Sequence, residues 1–209
     1  MNPVHYISSE PLSLSRVSDL LHQTYTLELS ADAVKRIEDN YAYLHRKIDQ
    51  YKAPIYGINT GFGSLCDTAI DPEHLAQLQT NLVRSHACGM GPEVPSEVVQ
   101  IMLLLKIQSL SYGYSGIVLS TVQRLIDFYN NGVYPVVYQQ GSLGASGDLA
   151  PLAHVSLALI GEGQVYYQNE KINAQALHKK LGWTPIALQA KEGLALLNGT
   201  QFMSAYGVY

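Results

Sequence analysis

Cysteine is scarce in this chain of 209 residues: Cys66 and Cys88 are the only two, in neither a C-x-x-C pair nor a repeated ligand spacing. That excludes a disulfide-stapled scaffold, and since the seven histidines show no ligand spacing either, a zinc site of the familiar kinds is discounted. Basic charge is also short. Thirteen Lys and Arg against seventeen Asp and Glu leave a formal net charge of −4, without the cationic footprint that nucleic acid or an anionic membrane requires. No run approaches the roughly 18 apolar residues of a membrane helix. The opening MNPVHYISSEPLSL has no basic start and no continuous apolar stretch of the kind that marks a secretory signal. Internal repeats, low-complexity tracts and linkers are missing too. The expectation is a soluble cytoplasmic protein with free thiols, no metal, and neither a nucleic-acid nor a membrane partner.

What is present is a globular composition, 47% hydrophobic and 14% charged, sufficient for a sizeable core. The chain is organised around GSLGASGDLAPLAHVSLALIGEG, from Gly141 to Gly163. Gly141, Gly144 and Gly147 let a loop bend back on itself. Asp148 stands where an N-cap is expected, Pro151 falls in the first helical turn, Leu152, Val155, Leu159 and Ile160 have helical spacing, and Gly161 closes the helix.

Before that segment, Val4 to Ile7 reads as a short extended opening, Ser13 to Gln23 as a small helix, and Thr26 to Leu29 as a brief alternation. Ser30 caps an amphipathic helix carrying Val34, Ile37, Tyr41, Leu44 and Ile48 inward. Asp71-Pro72-Glu73 starts another that runs toward Gly89. Pro95 opens a helix through IMLLLKIQSL that is apolar nearly all round, and a further one ends at Asn131-Gly132. Beyond Gly163, QVYYQNEKIN reads as an exposed hairpin turning at Asn169-Glu170, followed by a short helix from Ala174 to Leu181 and an apolar stretch leading to Asn198-Gly199-Thr200.

Three places invite chemistry, each with a plainer alternative. If a tight turn brings the Gly147 nitrogen against the Ala145 carbonyl carbon, a five-membered ring can close. Loss of the carbonyl oxygen and the Ser146 hydroxyl as two waters then leaves an electron-poor alkene, an electrophile that side chains do not otherwise supply. The same Gly/Ala/Ser loop could instead be a connector or an anion-binding helix start. IYGINTGFG, from Ile55 to Gly63, either turns a corner or presents Tyr56 and its neighbours to a ligand. His86, near a helix end, either complements the helix dipole or faces a substrate.

Taken together, GSLGASGDLAPLAH, YGINTGFG, NLVRSHACG and LLNGTQ, in that loop-to-helix context, resemble the aromatic amino acid ammonia-lyases over essentially the whole chain. The resemblance implies a mainly α fold with minor β-hairpins, the N-terminal part of the ammonia-lyase/aspartase-like architecture. Residues 1–209 would then form one domain that stops before a long C-terminal helical bundle. It implies that Ala145-Ser146-Gly147 becomes a methylidene-imidazolone (MIO) group, with Gly144 and Asp148 supporting the loop and no diffusible cofactor. Tyr56 would act as catalytic base, Asn198 would position the substrate amine, and His86 would meet the substrate ring. The Ser85-His86 pair matches the histidine-specific members, implying deamination of L-histidine to urocanate and ammonia by a homotetramer whose subunits share active sites.

The alternatives left open are a tyrosine- or phenylalanine-directed lyase or aminomutase of the same family and, for the 209 residues alone, an inert helical association module. Residues the family takes from its later half are missing here, so this stretch by itself is expected to lack appreciable activity. A nucleotide-binding reading fails because the glycines match neither G-x-G-x-x-G nor G-x-x-x-x-G-K-[ST].

Overall fold

The computed structural model describes residues 2–51, 53–61, 68–143 and 147–209. Strand β1 (Val4–Ile7) pairs with β2 (Thr26–Leu29) in parallel, Val4 opposite Thr26, across helix α1 (Leu14–His22). Both early helices begin on a serine, as the sequence indicates. Ser13 accepts from Arg16 N in α1, and Ser30 accepts from Ala33 N in α2 (Ala31–Gln50), each satisfying an amide that the first helical turn leaves without a partner.

A single 3-10 turn over Pro72–His74 precedes α3 (Leu75–His86), so the α-helix proper starts slightly later than the Asp71-Pro72-Glu73 signal. Helix α4 (Ser96–Ser111) is the axis of the core: it packs on α1, α2, α5 (Leu119–Asn130) and α9 (Gln201–Val208). Its side chains from Val98 to Leu110 are buried on nearly every side, which is why the sequence there lacks a polar face. Each Leu or Ile buried in this way contributes about 1.5–3 kcal/mol relative to exposure. Helices α6 (Leu149–Leu159), α7 (Ala174–Leu181) and α8 (Glu192–Leu197) complete the helical set among the described residues, and one cluster of buried side chains runs from Ile7 to Ala205.

The β-structure is minor. Strand β3 (Met90–Glu93) pairs antiparallel with β5 (Tyr138–Gln140), and β4 (Tyr134–Pro135), β6 (Gln164–Tyr167) and β7 (Glu170–Asn173) form a third small sheet. The β6–β7 hairpin turns one residue earlier than its sequence suggests, at Gln168-Asn169, both left-handed with φ of 52° and 64°. A two-residue turn of that hand matches the twist of the strands it joins, so Glu170 starts β7 opposite Tyr167. Nor is the hairpin an exposed excursion: β4 pairs with β6, Val165 is fully buried, and the Tyr166 hydroxyl donates to Glu93 at 2.7 Å. No described helix is long and apolar enough to cross a membrane.

Candidate active site

The loop leading into α6 is held at both described ends by glycine-to-glycine packing. Strand β5 sets Gln140 opposite Met90, which brings Gly141 over Gly89. Gly141 has φ of 126°, and a Cβ there would lie 2.9 Å from Gly89 Cα. At the other end Gly147 has φ of 134°, and a Cβ would lie 2.8 Å from Gly199 O, 2.9 Å from Gly199 N and 3.0 Å from Asn198 Oδ1. Only glycine tolerates both the backbone angle and the approach. Gly144, Ala145 and Ser146 lie outside the described residues.

Asp148 occupies the N-terminal position of α6, but its carboxylate makes no hydrogen bond to that helix. It accepts instead from Met203 N at 2.9 Å, in the first turn of α9, while its own amide donates to Gly199 O at 2.7 Å. The expected cap is therefore made to a different helix. Asp148 sits between two helix starts, and the amides of α9 offered an unpaired donor. Gly147 and Asp148 are thus clamped onto the Asn198-Gly199 segment, 50 residues further along the chain.

Buried polar groups hold Asn198 in place. It ends α8, with its amide bonded to Leu194 O at 3.0 Å. At the start of that helix the fully buried Glu192 accepts from Thr121 Oγ1 at 2.7 Å, Gln189 N at 2.7 Å and Val118 N at 3.2 Å. Burial pushes the Glu192 carboxyl up, and these three donors oppose the shift. The buried Gln79 of α3 accepts from Gly193 N at 3.0 Å, pairing an amide that the N-terminus of α8 leaves open. At the far end Lys106 Nζ donates to Asn198 O at 3.3 Å. Sequence reasoning named none of these three. The signal for Gln79 was its place on the Leu75, Leu82, Val83 stripe, and for Lys106 its lone charge within IMLLLKIQSL.

His86 lies half-buried in the last turn of α3, its Nδ1 2.9 Å from Leu82 O. Because a carbonyl can only accept, Nδ1 carries the hydrogen, and in the neutral ring Nε2 is the acceptor. Ser85 Oγ donates to the same carbonyl at 3.0 Å. Helix α3 packs on both α6 and α8 and is fastened to the turn that follows α6 by Arg84 Nε, 3.1 Å from each Glu162 oxygen. His154 of α6 adds a link: its Nε2 accepts from Gly89 N at 3.0 Å, and burial lowers its basicity, so the His86 segment, the loop entry and α6 are joined.

Tyr56 stands 59% exposed on a turn in which Ile58 N bonds Ile55 O at 3.1 Å and Asn59 Oδ1 accepts from Ile55 N at 2.6 Å. The motif thus turns a corner and also holds its tyrosine outward. Phe62 and Gly63, at its end, lie outside the described residues. Of the predicted site residues, then, Gly147, Asp148 and Asn198 meet directly, His86 rides on the helix packed against them, and Tyr56 occupies its own turn.

A model of the family "Aromatic amino acid lyase" matches residues 12–209. The histidine ammonia-lyase of Staphylococcus saprophyticus is 45% identical over 202 residues, covering 97% of this chain and 40% of that protein. Among solved structures, histidine ammonia-lyase from Trypanosoma cruzi superposes with a TM-score of 0.88 at 39% identity, covering 99% of this chain and 39% of the other. Tyrosine aminomutase from Streptomyces globisporus gives 0.90 at 32% identity, covering 99% and 38%. The mainly helical fold is the one these enzymes share, and the chain spans about 40% of the length of the curated relatives it matches.

Proposed function

The chain belongs to the aromatic amino acid lyase family, and from that premise we propose that it forms the electrophile-bearing part of a histidine ammonia-lyase, which converts L-histidine to urocanate and ammonia. The observation that carries this reading is the clamp of Gly147 and Asp148 on Asn198-Gly199. A methylidene-imidazolone closed on the Gly147 nitrogen needs a residue without a side chain there, and the space at Gly147 admits none. The residues therefore fit the group. When formed, it would supply an electrophile that turns the substrate's amine into a better leaving group.

The other residues are assigned roles this chain can perform. Asn198, with Oδ1 at the Gly147 contact, orients the amine. His86, with Nδ1–H committed to Leu82 O, offers Nε2 as an acceptor for the imidazole N–H of the substrate. Tyr56, held outward on its turn, takes the β-proton. The 45% identity to histidine ammonia-lyases supports histidine as substrate, and the likeness to a tyrosine aminomutase keeps that activity as the competing reading. Leu143 at 100% exposure and Met203 at 63%, both near the clamp in sequence or structure, support a site completed by further protein surface; that this surface comes from a cytoplasmic homotetramer is part of the same proposal.

Two measurements on the complete protein test the proposal. Ultraviolet assays with histidine, tyrosine and phenylalanine in parallel should show histidine turned over fastest, with urocanate as product, and a preference for tyrosine or phenylalanine would overturn the substrate. Intact mass should fall short of the sequence mass by two waters. Turnover by a protein that retains the Ser146 hydroxyl would overturn the electrophile.

A further inference from the structure

Lys106 has no explanation in packing. It lies in α4 among Met102, Leu103, Ile107 and Leu110, all buried, and is itself only 3% exposed. An ammonium in such a place is desolvated, and burial lowers Lys106 to about 7. A methionine would fill the same space without the cost of desolvating an ammonium, so packing alone does not call for lysine. What lysine adds is a donor at the end of a long stem.

That donor meets Asn198 O at 3.3 Å, one of the carbonyls that the C-terminus of α8 leaves without a helical partner. Asn198 O and Gly199 N belong to one planar peptide unit, so fixing the oxygen fixes the nitrogen. Gly199 N and O, with Asn198 Oδ1, are the three atoms within 3.0 Å of a Cβ position on Gly147, and Gly199 O accepts from Asp148 N at 2.7 Å. Lys106 therefore holds the peptide against which the loop end packs.

We propose that Lys106 is a positioning residue for the reactive loop: it fixes the Asn198-Gly199 peptide and thereby sets the placement of Gly147 for ring closure and of Asn198 for orienting the substrate amine. The proposal rests on the lyase reading above. The unmodified complete protein separates the two, since absence of the two-water mass deficit there sinks the lyase reading before any variant is made.

The test compares Lys106→Met and Lys106→Arg in the complete protein by melting midpoint, intact mass and steady-state kinetics. Lys106→Met should fold and lose no more stability than one unpaired carbonyl accounts for, retain KM within about threefold and lose on the order of 100-fold in kcat, the scale of a small misplacement of a reacting group. Incomplete loss of the two waters is expected in the same variant. Lys106→Arg, which keeps the donor, should recover kcat to within about tenfold of the parent, a loss near 1.4 kcal/mol. A folded Lys106→Met with complete ring closure and kcat within about twofold of the parent overturns the proposal. So does a folded Lys106→Arg that recovers neither readout, or failure of both variants to fold, which would make Lys106 a residue of core stability alone.

Discussion

Gly147→Ala is the substitution on which the described geometry bears most directly. Two costs combine. A side-chained residue held at φ of 134° is strained by about 1–3 kcal/mol. The added methyl meets Gly199 O and N at 2.8 and 2.9 Å, backbone atoms that cannot swing aside as Asn198 Oδ1 can, and overpacking of this kind costs about 1–3 kcal/mol. The sum, roughly 2–6 kcal/mol, is a large fraction of the ~5–15 kcal/mol that stabilises a folded protein. Gly182→Ala is an internal control: its φ is 67°, yet no atom lies within 4 Å of a Cβ there, so only strain of about 1–2 kcal/mol applies. Differential scanning calorimetry should rank the parent above Gly182→Ala and Gly182→Ala above Gly147→Ala. Each kcal/mol displaces the midpoint by roughly 2–4 °C for a cooperative unit of about 150–250 residues. Intact mass should show the two-water deficit in Gly182→Ala and not in Gly147→Ala. A Gly147→Ala protein that melts with or above the control would show that the clamp is not as tight as these distances require.

Two further outcomes follow from the hydrogen bonds. Asp148→Ala removes the acceptor for Met203 N and should lower stability by about 1 kcal/mol, the usual worth of a helix cap, while Asp148→Asn, which keeps an oxygen, should lose less; equal losses by thermal melting would refute the cap. His154 is lowered from 6.5 by burial, so the unfolded chain takes up its proton first and the stability this group contributes, present above about 6.5, is lost as pH falls toward the folded value. His5 and His178 are lowered too, so the observable is a difference: between about pH 7 and pH 5 the midpoint of the parent should fall more steeply than that of His154→Gln, and parallel curves would exclude the effect.

Much of the local structure was legible because it depends on neighbours three or four residues away. Ser13 and Ser30 cap the helices they precede, Gly182 ends α7 in the left-handed conformation, and the apolar run through Ile101 to Leu110 is buried as its composition requires. The hairpin was read one residue late because Asn169-Glu170 stands near the centre of the alternating segment, while the register of β6 against β7, Tyr167 opposite Glu170, places the turn at Gln168-Asn169. Asp148 was assigned to its own helix because a cap is a local rule, and the competing donor at Met203 is invisible along the chain.

The amino-acid order alone determined which segments become helices, where glycines allow the loop to bend, and which family's motifs the chain carries, since each follows from side-chain chemistry within a few residues; that glycine is obligatory at 141 and 147 was decided by the backbone packed against them. Tertiary packing alone decided that α1 carries β1 and β2 into parallel pairing, that Asp148 caps α9, and that Lys106, Gln79 and Thr121 converge on α8 and the Asn198 that ends it. Those contacts join residues 22 to 114 positions apart, and which buried donor finds which acceptor is settled only when the core closes and every polar group shut away from water must find a partner.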